Sequence, residues 1–338
     1  MKLAFINIYQ NLVDRGAETF VKEVSERLSK KHEVKIFSGG KIPPARWPIL
    51  WRLFIDPHGL AVAWFTLKLI PRILKGKYDV VIPLNGGWQV AIVRIVTWLN
   101  SSKMIISGQS GIGWDDRNNL WCFPNVFVAL TDFQKKWARA ANRFVKIAKI
   151  PNGVDLKKFS ADIKPLDINL PKPIILCAAA FDLWKRLPLA IKAVSRLKNG
   201  SLLLAGKGEE ENRLKKMCQK LLPGRFAISS FPHSEMPKVF TACDLFTYPT
   251  SPWESFGIVM AEAMASGLSV VATKDPIRKE IVGNAGILVD PMDTNAYAQA
   301  LKKALETKWE SKPREQAKKF DWDIITGKYE ELFELLKK

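Results

Sequence analysis

The chain of 338 residues has few of the residues that mark secreted or metal-binding proteins. Its three histidines, His32, His58 and His233, are too scattered along the sequence for a metal site. Its four cysteines lie in or beside apolar runs without paired or metal-like spacing, which predicts buried thiols in a reducing compartment: Cys122, Cys177, Cys218 and Cys243. The sequence therefore predicts neither a disulfide framework nor a metal cofactor.

Long apolar runs are also missing. The chain starts at once with a strand-like run, residues 2–8, without the apolar core or cleavage site of a signal peptide. Even the run at residues 60–70 is short for a membrane span and contains Lys68. Repeats of solenoid period and low-complexity tracts are absent as well. We therefore expect a cytoplasmic protein.

The chain has fewer acidic than basic residues, 33 against 52, and the formal net charge is +19. Such a charge attracts nucleic acid, anionic lipid or sugar nucleotides. Zinc-finger spacing and ribonucleoprotein aromatic motifs are missing, and a helix-turn-helix has no distinctive support, so no nucleic-acid partner is expected. Two interpretations stay open. The charge is either a solvated lysine-rich surface or a means of peripheral attachment to the inner face of an anionic membrane.

Aromatic residues in the N-terminal half bear on this choice. They would sit at the surface in a membrane-attached protein and in the core otherwise; the residues are Trp47, Trp51, Phe54, Trp64, Phe65 and Trp98.

The order of apolar runs predicts the fold. A chain of this length, 47% hydrophobic, has material for two domains. In both halves strand-like runs alternate with amphipathic helical segments, which predicts a parallel doubly wound sheet in each. Residues 152–173, rich in proline and charge, are the predicted link. Residues 108–125 form a predicted long loop, and such loops are usually functional.

The most informative segment is residues 249–267. Glu254 and Glu262 are eight residues apart around a glycine turn that opens a helix, between the strand-like runs 245–248 and 269–272. Ligands of such sheets gather at the carboxyl ends of the strands. The first-turn N–H groups of Phe256, Gly257 and Ile258, with the helix dipole, favour a phosphate.

Glu262 lies about one turn inside this helix. Because helical side chains lean toward the N-terminus, its carboxylate can return to the same ligand and accept from neutral hydroxyls. The implied ligand carries both phosphate and sugar hydroxyls. The alternative is a helix cap at Glu254 and a solvated helix face at Glu262.

This spacing resembles the Glu-x7-Glu motif of retaining GT-B glycosyltransferases, most closely family 4. Five further segments are similar to that family's signatures and occur in the same order: residues 15–21, where Arg15 replaces the first glycine, residues 150–155 with Phe159, Lys185-Arg186, residues 204–208, and residues 320–322. The resemblance covers nearly the whole chain. It implies two doubly wound, Rossmann-like domains in a GT-B architecture. Residues 1–155, with a C-terminal helix in residues 321–338, would form the acceptor-side domain, and residues 156–320 the sugar-nucleotide domain.

The resemblance also implies a function. We expect a metal-independent retaining glycosyltransferase that moves a sugar from a UDP-, GDP- or ADP-sugar to a glycan or lipid-linked acceptor, in cell-surface polysaccharide synthesis and without a cofactor. Two other classes stay open. One is a sugar-nucleotide epimerase or hydrolase with the same fold, and the other is a non-catalytic binder of sugar nucleotides or nucleic acid.

Site residues follow from the matched motifs. Glu254 and Lys185 are the expected catalytic residues, and Lys185 matches the family's diphosphate-binding lysine. The family arginine five residues earlier is Ala180 here, which makes Arg186 the candidate second cation. Gly16 is expected to let the backbone approach the diphosphate, and Gly206, with Gly208, to flank the base. A solvated lysine and plain turns are the alternatives.

Acceptor-side residues are expected in the first domain. Gln109 stands about where many family members have a histidine. Asp115 and Asp116, in the same predicted loop, are candidates to orient an acceptor hydroxyl. Asn85 and Trp88 follow another strand, and amide and indole groups suit sugar hydroxyls. His58 is interpreted as structural.

Overall fold

The computed structural model describes residues 1–13 and 15–337. The described chain divides into two units, Met1–Asn152 with Trp322–Lys338, and Gly153–Asp321. The sequence placed the corresponding divisions after residues 155 and 320.

Six parallel strands form the sheet of the first unit: β1 Lys2–Asn7, β2 Glu33–Ser38, β3 Val80–Pro83, β4 Lys103–Ser107, β5 Val126–Ala129 and β6 Ile147–Lys149. Their order across the sheet is β2-β1-β3-β4-β5-β6, with Leu3 aligned to Val34 on one side and Val80 on the other. Five helices connect them: α1 Gly16–Leu28, α2 Pro57–Gly76, α3 Trp88–Leu99, α4 Trp114–Trp121 and α5 Asp132–Ala141. A short 3₁₀ turn, Leu50–Leu53, precedes α2.

Helices cover both faces of this sheet. Alternate strand residues such as Ala4 and Ile6 share a buried cluster with Leu69 of α2 and Val93 of α3. Phe5, between them, points to the opposite face, where its ring lies 6.5 Å from that of Phe20 in α1. Because the central strands are covered on both sides, they are continuously apolar rather than alternating.

The second unit repeats the plan. Its strands are β7 Ile174–Ala178, β8 Ser201–Ala205, β9 Phe226–Ser229, β10 Leu245–Tyr248, β11 Val270–Thr273 and β12 Gly286–Val289, parallel in the order β12-β11-β10-β7-β8-β9. Its helices are α6 Leu187–Val194, α7 Glu211–Leu221, α8 Met236–Thr241, α9 Ile258–Ala265, α10 Pro276–Val282, α11 Thr294–Glu306 and α12 Lys312–Lys318. A 3₁₀ turn, Leu183–Lys185, lies between β7 and α6.

The last helix, α13 Trp322–Lys337, belongs to the first unit. Tyr329 places its ring 5.7 Å from that of Phe20 on α1. An ion pair of 2.7 Å joins Arg27 of α1 to Asp323. The predicted fold class, two doubly wound parallel sheets, is confirmed.

Several local predictions were wrong or incomplete. The predicted loop 108–125 contains α4, whose polar sequence has no apolar period because its buried residues include Asp116 and Asn119. The edge strands β6 and β9 were not predicted, since they are short and only half-buried. The short helices α5, α8, α10 and α12 were not predicted either.

One membrane-length segment is present in the described part of the chain. The segment Leu50–Gly76, which includes the 3₁₀ turn and α2, has 27 residues and is apolar enough to cross a membrane by length and composition. The expectation that no run reaches this length was therefore wrong. Core helices of soluble proteins pass the same test, so the segment's packing must decide its role.

Candidate active site

Lys185 and Glu254 meet at the carboxyl edge of the second sheet. Lys185 closes the 3₁₀ turn after β7, where the Asp182 side chain accepts its N–H at 3.1 Å. Glu254 lies on the loop after β10, and β7 and β10 are neighbours in the sheet. The Lys185 Nζ donates to Glu254 Oε2 at 2.6 Å and to the Tyr248 hydroxyl at 3.2 Å.

This cluster favours the charged form of Lys185. Burial disfavours the charged form of Lys185, but Tyr248 and Glu254 outweigh it and raise its pKa above the ordinary value. Burial, followed by the Glu254 charge, raises the pKa of Tyr248 to about 12. An ammonium has three N–H donors, and two of them face Glu254 and Tyr248. The third has no acceptor among residues 1–13 and 15–337.

Arg278 binds the backbone of the loop that carries Glu254. The sequence analysis did not predict this residue. The Arg278 side chain is fully buried and pairs with Asp275, Nε to Oδ2, at 2.7 Å. Its Nη1 donates to the Glu254 carbonyl at 2.8 Å, and its Nη2 to those of Ser251 and Pro252 at 3.0 and 2.9 Å. One guanidinium thus fixes three carbonyls of the loop.

Arg186 has a similar anchoring position. Its Nε donates to the Pro249 carbonyl at 2.8 Å, and its Nη2 donates to the Thr250 carbonyl and, at 3.1 Å, to Thr273 Oγ1. Burial lowers its pKa below the ordinary arginine value. These contacts join the ends of β10 and β11, and they do not support the predicted role of Arg186 as the second diphosphate cation.

Helix α9 begins where the sequence placed the anion site. Gly257, at φ +75°, precedes the helix, and a Cβ there would lie 3.0 Å from Met260 and 3.1 Å from Tyr248. Phe256 is buried with its ring 5.4 Å from that of Phe320. Within residues 1–13 and 15–337, the N–H groups of Phe256, Gly257 and Ile258 find no acceptor. They are the orphan donors of a helix start.

Glu262 has a partner that the sequence did not suggest. Its buried carboxylate lies 2.8 Å from His233 Nε2, Oε1 being the contacting atom. The His233 ring packs 5.7 Å from the ring of Phe159. Because His233 precedes α8 and Glu262 lies in α9, only the fold brings them together.

The paired glycines after β8 have a packing role. Gly206 and Gly208 have φ of +154° and +159°. A Cβ on Gly206 would come within 1.9 Å of the Ala179 carbonyl oxygen, and one on Gly208 within 2.5 Å of that of Phe181. Backbone contact between the loops after β7 and β8 therefore requires glycine at both positions. Ala180, at the family's arginine position, is exposed in the same loop.

In the first unit, Gly16 is the exposed first residue of α1. Nearby strand ends carry a polar network. Asn7 Nδ2 donates to Glu18 Oε1 at 2.9 Å, and Asn85 Oδ1 accepts from the Ile8 N–H at 2.9 Å. Asn85 also receives Gln89 Nε2 at 3.2 Å. The side chain of the predicted acceptor residue Asn85 is thus bound to the Ile8 backbone and to the side chains of Gln89 and Asn7.

Trp88 and Gln109 are similarly engaged. The Trp88 indole N–H donates to the Phe54 carbonyl at 2.9 Å, although the ring is partly exposed. Gln109 and Asn152 exchange two amide hydrogen bonds, of 2.9 and 2.8 Å. The Gln109 Nε2 also donates to Ser107 Oγ at 2.9 Å.

Asp115 and Asp116 differ although they are adjacent in α4. Asp115 receives both terminal nitrogens of Arg46, at 3.3 and 3.0 Å. Asp116 is buried, and its oxygens accept from Asn119 and Gln134, each at 3.2 Å. Burial raises the pKa of Asp116 well above its usual value. The structure thus makes Asp116 an interior carboxyl, whereas Asp115 stays near the surface.

Metal ligands are not gathered anywhere in the described residues: no group of three or more histidine, cysteine, aspartate or glutamate side chains has a suitable arrangement. The four cysteines are free thiols. Burial raises the pKa of Cys177 to about 12, so it is held as a neutral thiol.

Family models match the chain in two consecutive parts. Residues 15–158 match the model described as Glycosyltransferase Family 4, and residues 158–320 match the one described as Glycosyl transferases group 1. Together they include both halves of the predicted motif set, from the segment at Arg15 to that at Phe320.

Curated relatives match only part of the chain. A phosphatidyl-myo-inositol mannosyltransferase of Mycolicibacterium smegmatis is 28% identical over 221 residues, which are 61% of this chain and 56% of that protein. An O-antigen chain mannosyltransferase B of Escherichia coli is 33% identical over 110 residues, 31% of this chain and 29% of that protein. The matched part thus spans about half of the first relative and less than a third of the second.

Solved structures match along the whole length. Anabaena Alr3699/HepE in complex with UDP has a TM-score of 0.77 and 20% identity, covering 99% of this chain and 100% of that one. Sucrose-phosphate synthase from Thermosynechococcus elongatus has a TM-score of 0.80 and 19% identity, covering 99% and 98%. These likenesses show the GT-B fold. The chain belongs to the group 1, family 4 glycosyltransferases.

Proposed function

We propose that this glycosyltransferase takes its sugar from a nucleotide-diphosphate donor, retains the anomeric configuration and delivers the sugar to a glycan or lipid-linked acceptor. The observation that carries the proposal is the cluster of Lys185, Glu254 and Tyr248 beside the free N–H groups at the start of α9. It combines donors for a diphosphate with an acceptor for sugar hydroxyls.

The diphosphate would be held by charge and by backbone donors. The third N–H of Lys185 and the N–H groups around Gly257 favour the charge that develops on the leaving group. Protein groups thus supply the positive charge that balances the leaving group. We therefore propose a reaction that needs no metal. The structure of UDP-bound Anabaena Alr3699/HepE, with the same fold, agrees with a nucleotide donor.

Glu254 would orient the donor sugar. Its Oε2 is occupied by Lys185 at 2.6 Å and by Thr250 Oγ1 at 3.3 Å. Its Oε1 has no partner within the described residues and is the atom we assign to a sugar hydroxyl. Glu262, held by His233, would accept from hydroxyls of the same donor. The acceptor hydroxyl would attack the sugar on the face from which the diphosphate departs. The bond between the sugar and the diphosphate would break as the new bond forms, and the departing phosphate oxygen would take the acceptor proton.

The names of two relatives support a proposal for the acceptor class. One is named for phosphatidyl-myo-inositol and another for the O-antigen chain. The first name specifies a lipid and the second a glycan chain, and we propose a lipid-linked or glycan acceptor here, with synthesis on the cytoplasmic side of the membrane.

The test is product analysis with a panel of sugar nucleotides and lipid and glycan acceptors, followed by NMR of the new anomeric centre. A product with the donor's configuration supports the proposal. An inverted product contradicts retention, free sugar alone indicates a hydrolase, and an isomerised donor indicates an epimerase.

Glu254→Gln is the matched variant for this assay. It should abolish transfer and still give a folded protein, because the amide keeps the side chain's shape but weakens its hydrogen bond to the sugar. Glu306→Gln, on the exposed end of α11, is the control and should turn over normally. Full activity of Glu254→Gln would overturn the assignment.

A further inference from the structure

Helix α2 has an apolar stripe on each of two sides. Val62, Leu69 and Ile73 face inward and are buried. The outward stripe repeats every three to four residues and is exposed, with Trp64 at 61%; it comprises Leu60, Trp64, Leu67 and Leu74. A helix that is apolar on its outer face as well needs a partner for that face.

Helix α3 adds a second stripe beside it. Its inner residues Val90 and Val93 belong to the buried core, whereas Ile95, Trp98 and Leu99 are exposed, at 56%, 61% and 75%. Because α2 and α3 pack against each other, the two stripes lie on the same side of the first unit. We call the outward residues of both helices the α2–α3 face. Exposed apolar patches of this kind mark interaction sites.

Charge identifies the partner. Residues 39–78 contain seven lysines and arginines and a single acidic residue, Asp56. Asp56 is buried, where it caps α2 by accepting the Gly59 N–H at 2.9 Å. Neither α2 nor α3 contains an aspartate or glutamate.

The cations stand beside the exposed indoles. Lys68 Nζ lies 4.9 Å from the ring centre of Trp64, and the Arg94 guanidinium lies 4.6 Å from that of Trp98. Arg72 and Lys75 are exposed on α2 as well. Apolar side chains interleaved with tryptophan and bordered by cations match the interface of an anionic bilayer, where indoles sit at the headgroups and cations meet lipid phosphates.

We propose that the α2–α3 face docks the protein on an anionic membrane surface, with both helices lying in the plane of the interface. The inner face of α2 decides against a span. Leu69 and Ile73 are part of the same buried cluster as strands β1 and β3, and a helix crossing the bilayer would have to withdraw them. The proposal is independent of the sugar transferred, because docking needs neither donor nor acceptor.

The test is flotation of the full chain with vesicles of phosphatidylcholine alone and of phosphatidylcholine with phosphatidylglycerol. Binding is expected only to the anionic vesicles and should fall steeply as salt rises from about 0.1 M to about 0.5 M. Replacing Lys68, Arg72 and Lys75 by glutamine should weaken it about fivefold for each charge removed.

The apolar contribution is tested by Trp64→Ser with Trp98→Ser. Loss of interfacial burial should weaken vesicle binding about tenfold for each indole. The matched control is Ile324→Ser with Leu335→Ser, two similarly exposed side chains on α13, which packs on α1 at the opposite face of the sheet. The control should bind like the wild type.

Any of four results would overturn the proposal. The first is wild-type protein that does not float with anionic vesicles at low salt, and the second is equal binding by the tryptophan and control variants. The third is protein that stays with the vesicles at high salt and alkaline pH, which would make Leu50–Gly76 an inserted span. The fourth is a wild-type dimer in solution that the tryptophan changes dissociate, since the face would then be a subunit interface.

Discussion

Replacing Arg278 by methionine is expected to destabilise the second unit far more than the same change at Arg213. The chain offers a matched comparison, because both arginines form an i,i+3 pair with a carboxylate at 2.7 Å. Their burial differs completely. The Arg278 side chain is 0% exposed and that of Arg213 63%.

The magnitude follows from what each change leaves behind. Arg278→Met leaves the buried Asp275 without its cation and three loop carbonyls without their donors. Removing one partner of a buried ion pair costs about 3–5 kcal/mol. Arg213 donates to Glu210 in water, where such a pair contributes about 0.3–0.5 kcal/mol. The expected ratio of the two losses is therefore about tenfold.

Urea unfolding followed by tryptophan fluorescence measures both losses. At a temperature where both variants are folded, Arg278→Met should also bind the donor more weakly, since the Glu254 carbonyl is one of its partners. The reasoning is refuted if Arg278→Met loses less than about 1 kcal/mol, because a buried carboxylate would then have tolerated the loss of its partner.

Three further predictions concern the ligand and pH. Glu262→Gln should weaken sugar-nucleotide binding by about 1–3 kcal/mol, or roughly 5- to 150-fold in Kd; His233→Ala should cause a smaller loss in the same calorimetric titration, and unchanged Kd in both would remove Glu262 from the donor site. Asp116→Asn should raise Tm more at about pH 7 than at about pH 4.5. The reason is that a carboxyl whose pKa is raised by folding contributes stability that is complete below its unfolded pKa and lost as pH rises. Equal changes of Tm at both pH values would contradict an ionised, destabilising Asp116. Transfer should survive a strong chelator, and loss of activity that manganese or magnesium restores would show that a metal supplies charge assigned here to Lys185.

The sequence predicted the sheets well because their central strands are continuous apolar runs. A strand buried on both faces, such as β8, is a short run of apolar residues and is therefore easily identified from sequence. Edge strands lack that signal. Helix α4 shows another limit, because its inward side is formed by Asp116 and Asn119, which have partners only in the folded chain.

The site was predictable where spacing along the chain carries the information. Glu254 and Glu262 lie in one loop and helix, and Lys185 in one matched motif. Arg278 and His233 were missed because their partners are 24 and 29 residues away. Tyr248 had one usable signal, its position as the last residue of β10. Arg278 also had a signal, its i,i+3 spacing from Asp275. Spacing alone, however, does not separate a buried ion pair from an exposed one.

Two arginines, the half-buried Arg186 and the buried Arg278, anchor the loop after β10, where we propose that an anion binds. Arg186 and Arg278 together take the carbonyls of Pro249, Thr250, Ser251, Pro252 and Glu254. With its carbonyl groups bound by cations on the inner side, the loop has backbone N–H groups to offer at the start of α9. The helix dipole and the Lys185 ammonium add charge of the same sign at that edge. If an anion binds there as proposed, anchoring of the loop and binding of the anion have one cause, and a variant that frees the carbonyls should lose both.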